Sequence, residues 1–361
     1  MSEDPPRRPD APLRSGWTTG ACAAAAAKAA FEGLQAGSFP TQVTIRLPRG
    51  DRPTFAIEES ALGPGWASAG VIKDAGDDPD VTHGALVRVT LSQSAGGIEF
   101  RAGEGVGMVT RAGLPIPPGQ PAINPGPRAM IAEALTDIAE SLGAPLAVTV
   151  TISIPGGEKL AERTLNGRLG IVGGLSILGT SGIVTPYSCA AWVHTIHRGI
   201  DVAIAAGQPH ILGATGSTSE AAAQALLGLP DLALIDMGDF VGGMLKYLRK
   251  HPVPRVTIAG GFAKLAKLAQ GHLDLHSGRS RVDIQRLSED LRAVGAPAEL
   301  LEAAGQAVSA GELLELAQAY EKPLSDRIAH QAAERCRREL PDGLAVDVLL
   351  LNRAGRLIGH A

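Results

Sequence analysis

From Ile171 onward the chain repeats one pattern: a short apolar run, a glycine-rich turn, then a helical stretch. The runs are Ile171 to Leu178, Ile211 to Gly213, Leu232 to Ile235 and Val256 to Ala259. Strands that alternate with helices cannot pair as hairpins, so this rhythm predicts a parallel sheet with helices on its faces. Short helical segments follow Val282, and Val346 to Leu351 reads as a last strand.

The first half has another rhythm. Thr19 to about Leu34 is nearly all alanine, the best helix former, and Thr18 or Thr19 can cap its first amides. Short β-rich runs follow at Val43 to Leu47, Thr54 to Ile57, Gly70 to Lys73, Leu86 to Leu91 and Ile98 to Phe100, which predicts a mainly antiparallel sheet. Gly103 to Pro127 reads as a long loop, Pro127 to Leu142 as a helix, and Leu146 to Ile154 as a strand. The Pro155, Gly156, Gly157 punctuation is the expected boundary. The fold class is therefore α/β: a tail over 1–12, an α+β domain with a mainly antiparallel sheet over 13–155, and a Rossmann-like parallel α/β domain with C-terminal helices over 156–361.

Length supports two cores rather than one, since 361 residues exceed what a single core comfortably holds. A formal charge of -4, with both signs dispersed, offers no basic face for nucleic acid. Cys22, Cys189 and Cys336 stand far apart, as three buried thiols of a cytoplasmic protein would. No run reaches the ~20 apolar residues of a membrane span, and Met1 to Pro12 lacks a signal-peptide core.

Polar and glycine residues gather where each predicted strand ends: Gly179, Thr180, Ser181, Gly182; then Gly213, Thr215, Gly216, Ser217; then Asp236, Asp239; then Gly260. In an open parallel sheet, ligands bind outside those ends, where helix N-termini present free amides. Glycines admit a ligand to the backbone, and Asp236 or Asp239 could hold ribose hydroxyls, so a nucleoside cofactor fits. Any one turn is as easily a cap. Neither GxGxxG nor GxxxxGK[ST] occurs at these turns, which argues against a simple dehydrogenase or nucleotide-triphosphatase.

A second constellation is the acidic turn Lys73 to Asp80, with Asp74, Asp77, Asp78 and Asp80 close together. Such a cluster needs cations, N–H donors or an internal hydrogen-bond network, or else is solvated. The helix start at Thr18 and Thr19 is a ready anion site, whereas Lys28 lies about 13 Å along the axis and on the other face. His194, His197, Arg198 and Asp201 form a polar helix face, and His272 and His276 flank Asp274 without a third ligand. No protein-bound metal is expected.

Several long strings carry a resemblance: LRSGWTTGACAAAAAKAA from Leu13, VIKDAGDDPDVTHG from Val71, GQPAINPGPR from Gly119, IPGGEKLAERTLNGRLGIVGGLSILGTSGIV from Ile154 and GGFAKLAKLAQGHLDLHSGRSRVD from Gly260. Together they resemble the CbiD family of cobalt-precorrin-5B C1-methyltransferases between Leu13 and Asp283. Residues beyond Asp283 are similar only in helical character. The resemblance implies methyl transfer from S-adenosylmethionine to C1 of a tetrapyrrole, with or without cobalt, in vitamin B12 biosynthesis. On that reading the strand-end turns bind the cofactor and the tetrapyrrole lies between the domains. Its carboxylates meet Thr18, Thr19, Lys73, Arg128, Arg163 or Lys264, and Asp74 and Asp77 orient or deprotonate ring nitrogens. The rivals are a small-molecule kinase using the Thr18–Thr19 helix start for phosphate, and a non-catalytic tetrapyrrole carrier. Monomer and homo-oligomer are equally compatible with the sequence.

Overall fold

The computed structural model describes residues 12–361, so most of the expected tail lies outside the described residues. The chain forms two compact units divided between Ser188 and Cys189.

The helix Thr19–Ala36 organises the first unit. Its alanines from Ala21 to Ala27 and Ala29, Ala30 are fully buried, enclosed by a five-stranded sheet and the helix Pro125–Leu142. Small side chains are what this position requires, because a Cβ on Gly20 would already meet the Pro127 ring at 2.7 Å. The sheet runs in the order Glu59–Gly63, Trp66–Ile72, Leu86–Gln93, Val148–Ser153, Ile98–Ala102. All its pairings are antiparallel except the last, Ile98–Ala102 with Val148–Ser153. Val87, Val89 and Leu91 alternate inward, as one wet and one covered face demand.

The punctuation at Pro155 to Gly157 does not end this unit. Ile171–Val172 pairs with Met108–Val109, Ile183–Val184 pairs with Gly16–Trp17, and Leu175 and Ile177 enter the first core. Ile171 to Leu178 is thus not a strand of the parallel sheet. Its apolar run is real, but periodicity reports burial without saying in which core.

In the second unit the strand order is Leu234–Asp236, His210–Ala214, Arg255–Gly261, Ala345–Leu351, Leu357–His360. The first four are mutually parallel and the last is antiparallel. Successive strand residues face opposite ways: Ile211, Ile235, Val256, Ile258 and Val348 join one core with the helices Val241–Leu248, Phe262–Ala269 and Leu324–Arg337. Leu212, Leu234, Ala259 and Leu351 face the helix Ser217–Leu227 on the other side. From His210–Ala214 the chain moves to one neighbour, and from Arg255–Gly261 it moves to the other. The direction of winding reverses between those two strands, and it is outside the carboxyl ends at such a switch point that open parallel sheets form a crevice.

Candidate functional site

Three of the four expected turns meet at that crevice. Ala214 is in register with both Asp236 and Ala259, so the loops after these strands are neighbours. The Gly238 amide donates to the Ala214 carbonyl at 3.0 Å, and the Thr215 amide to Ala259 at 3.0 Å. Gly216 precedes the helix Ser217–Leu227 with no side-chain cap, and Gly261 likewise precedes Phe262–Ala269 uncapped. Gly216 and Ser217 are exposed. Lys264 belongs here too: its ammonium donates to the Thr215 carbonyl at 2.8 Å and sits 3.1 Å from Asp239 Oδ1. That second contact lies outside hydrogen-bonding geometry, so the buried Oδ1 accepts no hydrogen bond. Behind Asp239, the Leu275 amide bonds its carbonyl at 2.9 Å, and Lys267 donates to Leu275 O at 2.8 Å. Asp236 ends its strand with its carbonyl accepting from the Trp192 indole at 3.2 Å.

Two glycines of this group serve packing. A Cβ on Gly213 would meet Met244 Sδ at 2.5 Å, and one on Gly260 would meet Thr215 Oγ1 at 2.7 Å. Gly213 is a strand residue under a helix, not a loop residue open to a ligand.

The fourth turn is elsewhere. Gly179, Thr180, Ser181 and Gly182 wrap the start of the alanine helix in the first unit, where Thr18 N donates to Gly182 O at 3.0 Å. Gly179 has φ +115°, and a Cβ there would lie 2.3 Å from Thr18. Ser181 Oγ turns back on Ile183, donating to its carbonyl at 3.2 Å. The expectation that this turn lines the parallel-sheet rim is therefore corrected.

The same wrapping closes the expected anion site. Thr18 Oγ1 accepts from the Ala21 amide at 3.2 Å, and the Gly20 amide donates to Leu178 O at 3.0 Å. Thr19 Oγ1 is engaged by Leu178 as well, and both threonines are buried. A phosphate or carboxylate would find these donors spent, which removes Thr18 and Thr19 as substrate ligands and the basis of the kinase reading.

The acidic turn is an internal network. Lys73, only 1% exposed, donates to Asp80 Oδ2 at 2.6 Å, and Thr82 donates to Asp80 Oδ1 through its amide and hydroxyl. Burial pushes the Asp80 carboxyl up, but the Lys73 and Thr82 bonds outweigh it and bring it below its ordinary value. Arg14 clamps Asp74 with two bonds of 2.5 and 2.9 Å, and its amide donates to Asp77 Oδ2 at 2.6 Å. The Arg14 guanidinium and the Gly76 amide hold the Asp74 carboxyl at about 2. Asp78 accepts from the Tyr187 amide at 2.9 Å. An open cleft of about 480 Å³ lies along this turn, bordered by Asp77, Asp78, Asp80, His83 and Arg163.

Other expected contacts also resolve inward. Lys73 is buried on Asp80 and so is not a surface base. Arg128 donates to Ile123 O at 2.8 Å and covers the Phe100 ring at 5.1 Å, and burial lowers its pKa. Arg163 keeps an exposed side chain with no ion pair among the described residues. Lys28 reaches Thr44 O at 2.8 Å.

On the polar helix face His197, Arg198 and Asp201 are half buried, while His194 is exposed. His197 stacks on Tyr247 and Tyr247 on His251, with centroids 4.0 and 4.3 Å apart, and Tyr247 donates to Asp201 at 2.5 Å. Burial, then the Asp201 bond, push the Tyr247 phenol up to about 12. Asp274 pairs with Arg279 at 2.6 Å. Among the described residues no three His, Cys, Asp or Glu side chains gather so as to hold a metal ion. Sequence reasoning missed Arg14 as the partner of two aspartates, and missed the pairing of Lys264 with Asp239. No local signal marks either, since each pair is formed across the fold.

Comparison with known proteins gives the class and then its membership. Residues 7–186 match the model of the CbiD family, and residues 274–361 match that of the CbiD C-terminal domain. A Bradyrhizobium sp. (strain BTAi1 / ATCC BAA-1182) protein named cobalt-precorrin-5B C(1)-methyltransferase is 59% identical over 97% of this chain and 94% of its own length. A Halorhodospira halophila protein of the same name is 56% identical over 100% of this chain and 99% of its own. A crystal structure of the cobalamin biosynthesis protein (cbiD) from Archaeoglobus fulgidus is 28% identical, covering 69% of this chain and 77% of that one at a TM-score of 0.40. The chain belongs to the CbiD family. Likeness to the family extends through the C-terminal helices and strands, beyond Asp283 where the strings above end.

Proposed function

We propose that this chain is a methyltransferase of cobalamin biosynthesis that moves a methyl group from S-adenosylmethionine to C1 of cobalt-precorrin-5B. The observation that carries the reading is the 59% identity over 97% of the chain to a relative bearing that name, a span that includes the switch-point crevice and the acidic turn. In the reaction a ring-carbon electron pair forms the new C–C bond. The S–CH3 bond breaks with its electrons kept by sulfur, and S-adenosylhomocysteine leaves. Alignment of donor and acceptor is the main demand, with no covalent enzyme intermediate required.

The parallel sheet of the second unit is read as Rossmann-like, with the cofactor at its switch point. The uncapped helix starts after Gly216 and Gly261 offer amides there, and Thr215, Ser217, Asp236 and Asp239 offer polar side chains. Arg163 is proposed to meet a macrocycle carboxylate. Asp74 is read as part of the clamp on Arg14, because its carboxyl, held at about 2, stays ionised and takes up no proton near neutrality, and Asp77 is read as the acceptor of the Arg14 amide. Among the described residues no helix is long and apolar enough to cross a membrane and no disulfide joins the cysteines, which suits work on a small molecule in the reducing cytoplasm.

The test incubates purified chain with S-adenosylmethionine and cobalt-precorrin-5B, or its cobalt-free form, and follows both products. Equal amounts of S-adenosylhomocysteine and ring-methylated product are expected. Macrocycle binding without S-adenosylhomocysteine would make the chain a carrier.

A further inference from the structure

The helix Cys189–Ala205 carries Trp192 in its first turn, and this tryptophan is 46% exposed. Its indole N–H is committed to the Asp236 carbonyl at 3.2 Å, which fixes the ring at the end of that strand. Gly238, in the left-handed region at φ +56°, backs it: a Cβ there would lie 3.4, 3.5 and 3.6 Å from Nε1, Cζ2 and Cε2. Near-equal distances to three adjoining atoms mean an approach over the ring face, so one face rests on the crevice loop and solvent reaches the ring from the other side. Cys189, on the same helix face three residues earlier, accepts from Arg279 at 2.8 Å. The Arg279 guanidinium, 45% exposed, also pairs with Asp274 at 2.6 Å, and the other oxygen of Asp274 takes the His276 amide at 3.1 Å. The loop bearing Arg279 is tied to the crevice through Leu275 N on Asp239 O at 2.9 Å and Gly242 N on Leu273 O at 2.8 Å.

We infer that Trp192 and Arg279 form the lip on which the macrocycle rests, its ring face against the indole and one carboxylate arm on the guanidinium. The inference rests on the macrocycle reading above and adds where on the second unit the ring is held. Most of the expected cations are already occupied: Lys73 and Arg128 turn inward, and Lys264 is committed to Thr215 O. At the lip a flat apolar surface and a fixed donor fork stand side by side, and the combination selects the occupant. Adenine is flat but uncharged, so it would use the indole and leave the guanidinium idle. The methionine end of the cofactor carries its carboxylate on a flexible chain, so it would use the guanidinium and leave the indole bare. A ring edged with carboxylates engages both. Asp274 and Cys189 take one proton from each terminal nitrogen of Arg279, and the remaining N–H groups of the fork serve the arm.

Equilibrium dialysis of cobalt-precorrin-5B against the full chain tests this, for the wild type, Trp192→Leu, Trp192→Phe, Arg279→Gln and Arg279→Lys, with S-adenosylhomocysteine titrated into each by calorimetry. Trp192→Leu should weaken the macrocycle roughly five- to tenfold, and Trp192→Phe, which keeps a ring, by less. Arg279→Gln should weaken it roughly tenfold or more and flatten its dependence on salt, whereas Arg279→Lys keeps the charge and with it that salt dependence. Affinity for S-adenosylhomocysteine should be unchanged throughout. Variants that bind the macrocycle as the wild type does would overturn the lip while leaving the macrocycle reading intact, and so would variants that lose S-adenosylhomocysteine instead. A wild type that binds no macrocycle, with and without S-adenosylhomocysteine, would remove the macrocycle reading and the lip together. Melting curves identify any variant that fails to fold, and the conservative replacement at that position then carries the test.

Discussion

Two helices in this molecule begin with similar sequences and end up with opposite roles. Thr18-Thr19-Gly20 opens the alanine helix of the first unit, and Gly216-Ser217-Thr218 opens the helix Ser217–Leu227 of the second. At the first, Thr18 Oγ1 and the Leu178 carbonyl consume the leading amides; at the second, no side chain caps the start and Ser217 is exposed. The difference extends to carboxylates. Those of the acidic turn are all bonded within the first unit, whereas Asp239 Oδ1 in the second, 3.1 Å from the Lys264 ammonium, accepts no hydrogen bond. A polar cluster that stands out in sequence is thus no guide to free bonding capacity, which depends on what the fold has already spent.

The largest expected effect comes from breaking a spent pair. Asp80→Asn leaves the buried Lys73 ammonium facing a neutral amide, and should lower unfolding free energy by about 3–5 kcal/mol in urea titrations of the full chain. An unchanged midpoint would mean that Lys73 finds water, and that the acidic turn is less closed than its bonds suggest. Next come the two helix starts themselves. Thr18→Ala deletes a buried cap and should cost about 1–2 kcal/mol, while Ser217→Ala removes no cap bond and should stay within about 0.5 kcal/mol. Equal costs would erase the distinction between them.

Much of the fold was legible, for particular reasons. The alanine helix, the strand Leu86–Gln93 and the strand-turn-helix rhythm after His210 follow from propensity and period, and they stand where expected. Glu59–Gly63 was missed because this edge strand is almost wholly unburied and so carries no apolar alternation. Leu357–His360, a short antiparallel edge, left as little trace. Ile171 to Leu178 had the right composition for a parallel strand, but only tertiary pairing decides which core an apolar run enters. The three turns at the crevice were visible as turns. The neighbours that close or open them, Leu178 on Thr19 and Lys264 on Thr215, lie 159 and 49 residues away in the chain.

Acid should separate the units without any mutation. The histidines with depressed pKa, His194, His197 and His210, all belong to the second unit, and in each desolvation is the main cause. The unfolded chain then binds more protons than the fold as pH drops through the ordinary histidine value of about 6.5, so second-unit stability falls there. In the first unit, Asp74 and Asp80 are shifted down, and their contribution persists until pH falls below the ordinary carboxylate value of 3.8, that of Asp74 being lost toward about 2. Tryptophan fluorescence can follow this with Trp17 and Trp66 in one unit and Trp192 in the other. Between pH 7.5 and 5.5 the melting temperature reported by Trp192 should decline while that reported by Trp17 holds. Parallel declines would show that the histidines do not govern the second unit.

The smallest expected effect is the most telling about the crevice. Asp239→Asn keeps the shape of the side chain, leaves the Lys264 bond to Thr215 in place, and removes a charge whose Oδ1 makes no hydrogen bond. Without ligand, unfolding free energy should therefore shift by no more than about 0.5 kcal/mol, in either direction, against the several expected at Asp80. Both positions exchange one carboxylate for an amide beside a lysine, and they differ in prior hydrogen bonding and in the exposure of that lysine, 1% at Lys73 and 39% at Lys264. A large loss at Asp239 in urea titrations would mean that the Lys264 contact already stabilises the empty fold. The two units would then treat their acids alike, and the missing hydrogen bond at Asp239 would no longer distinguish them.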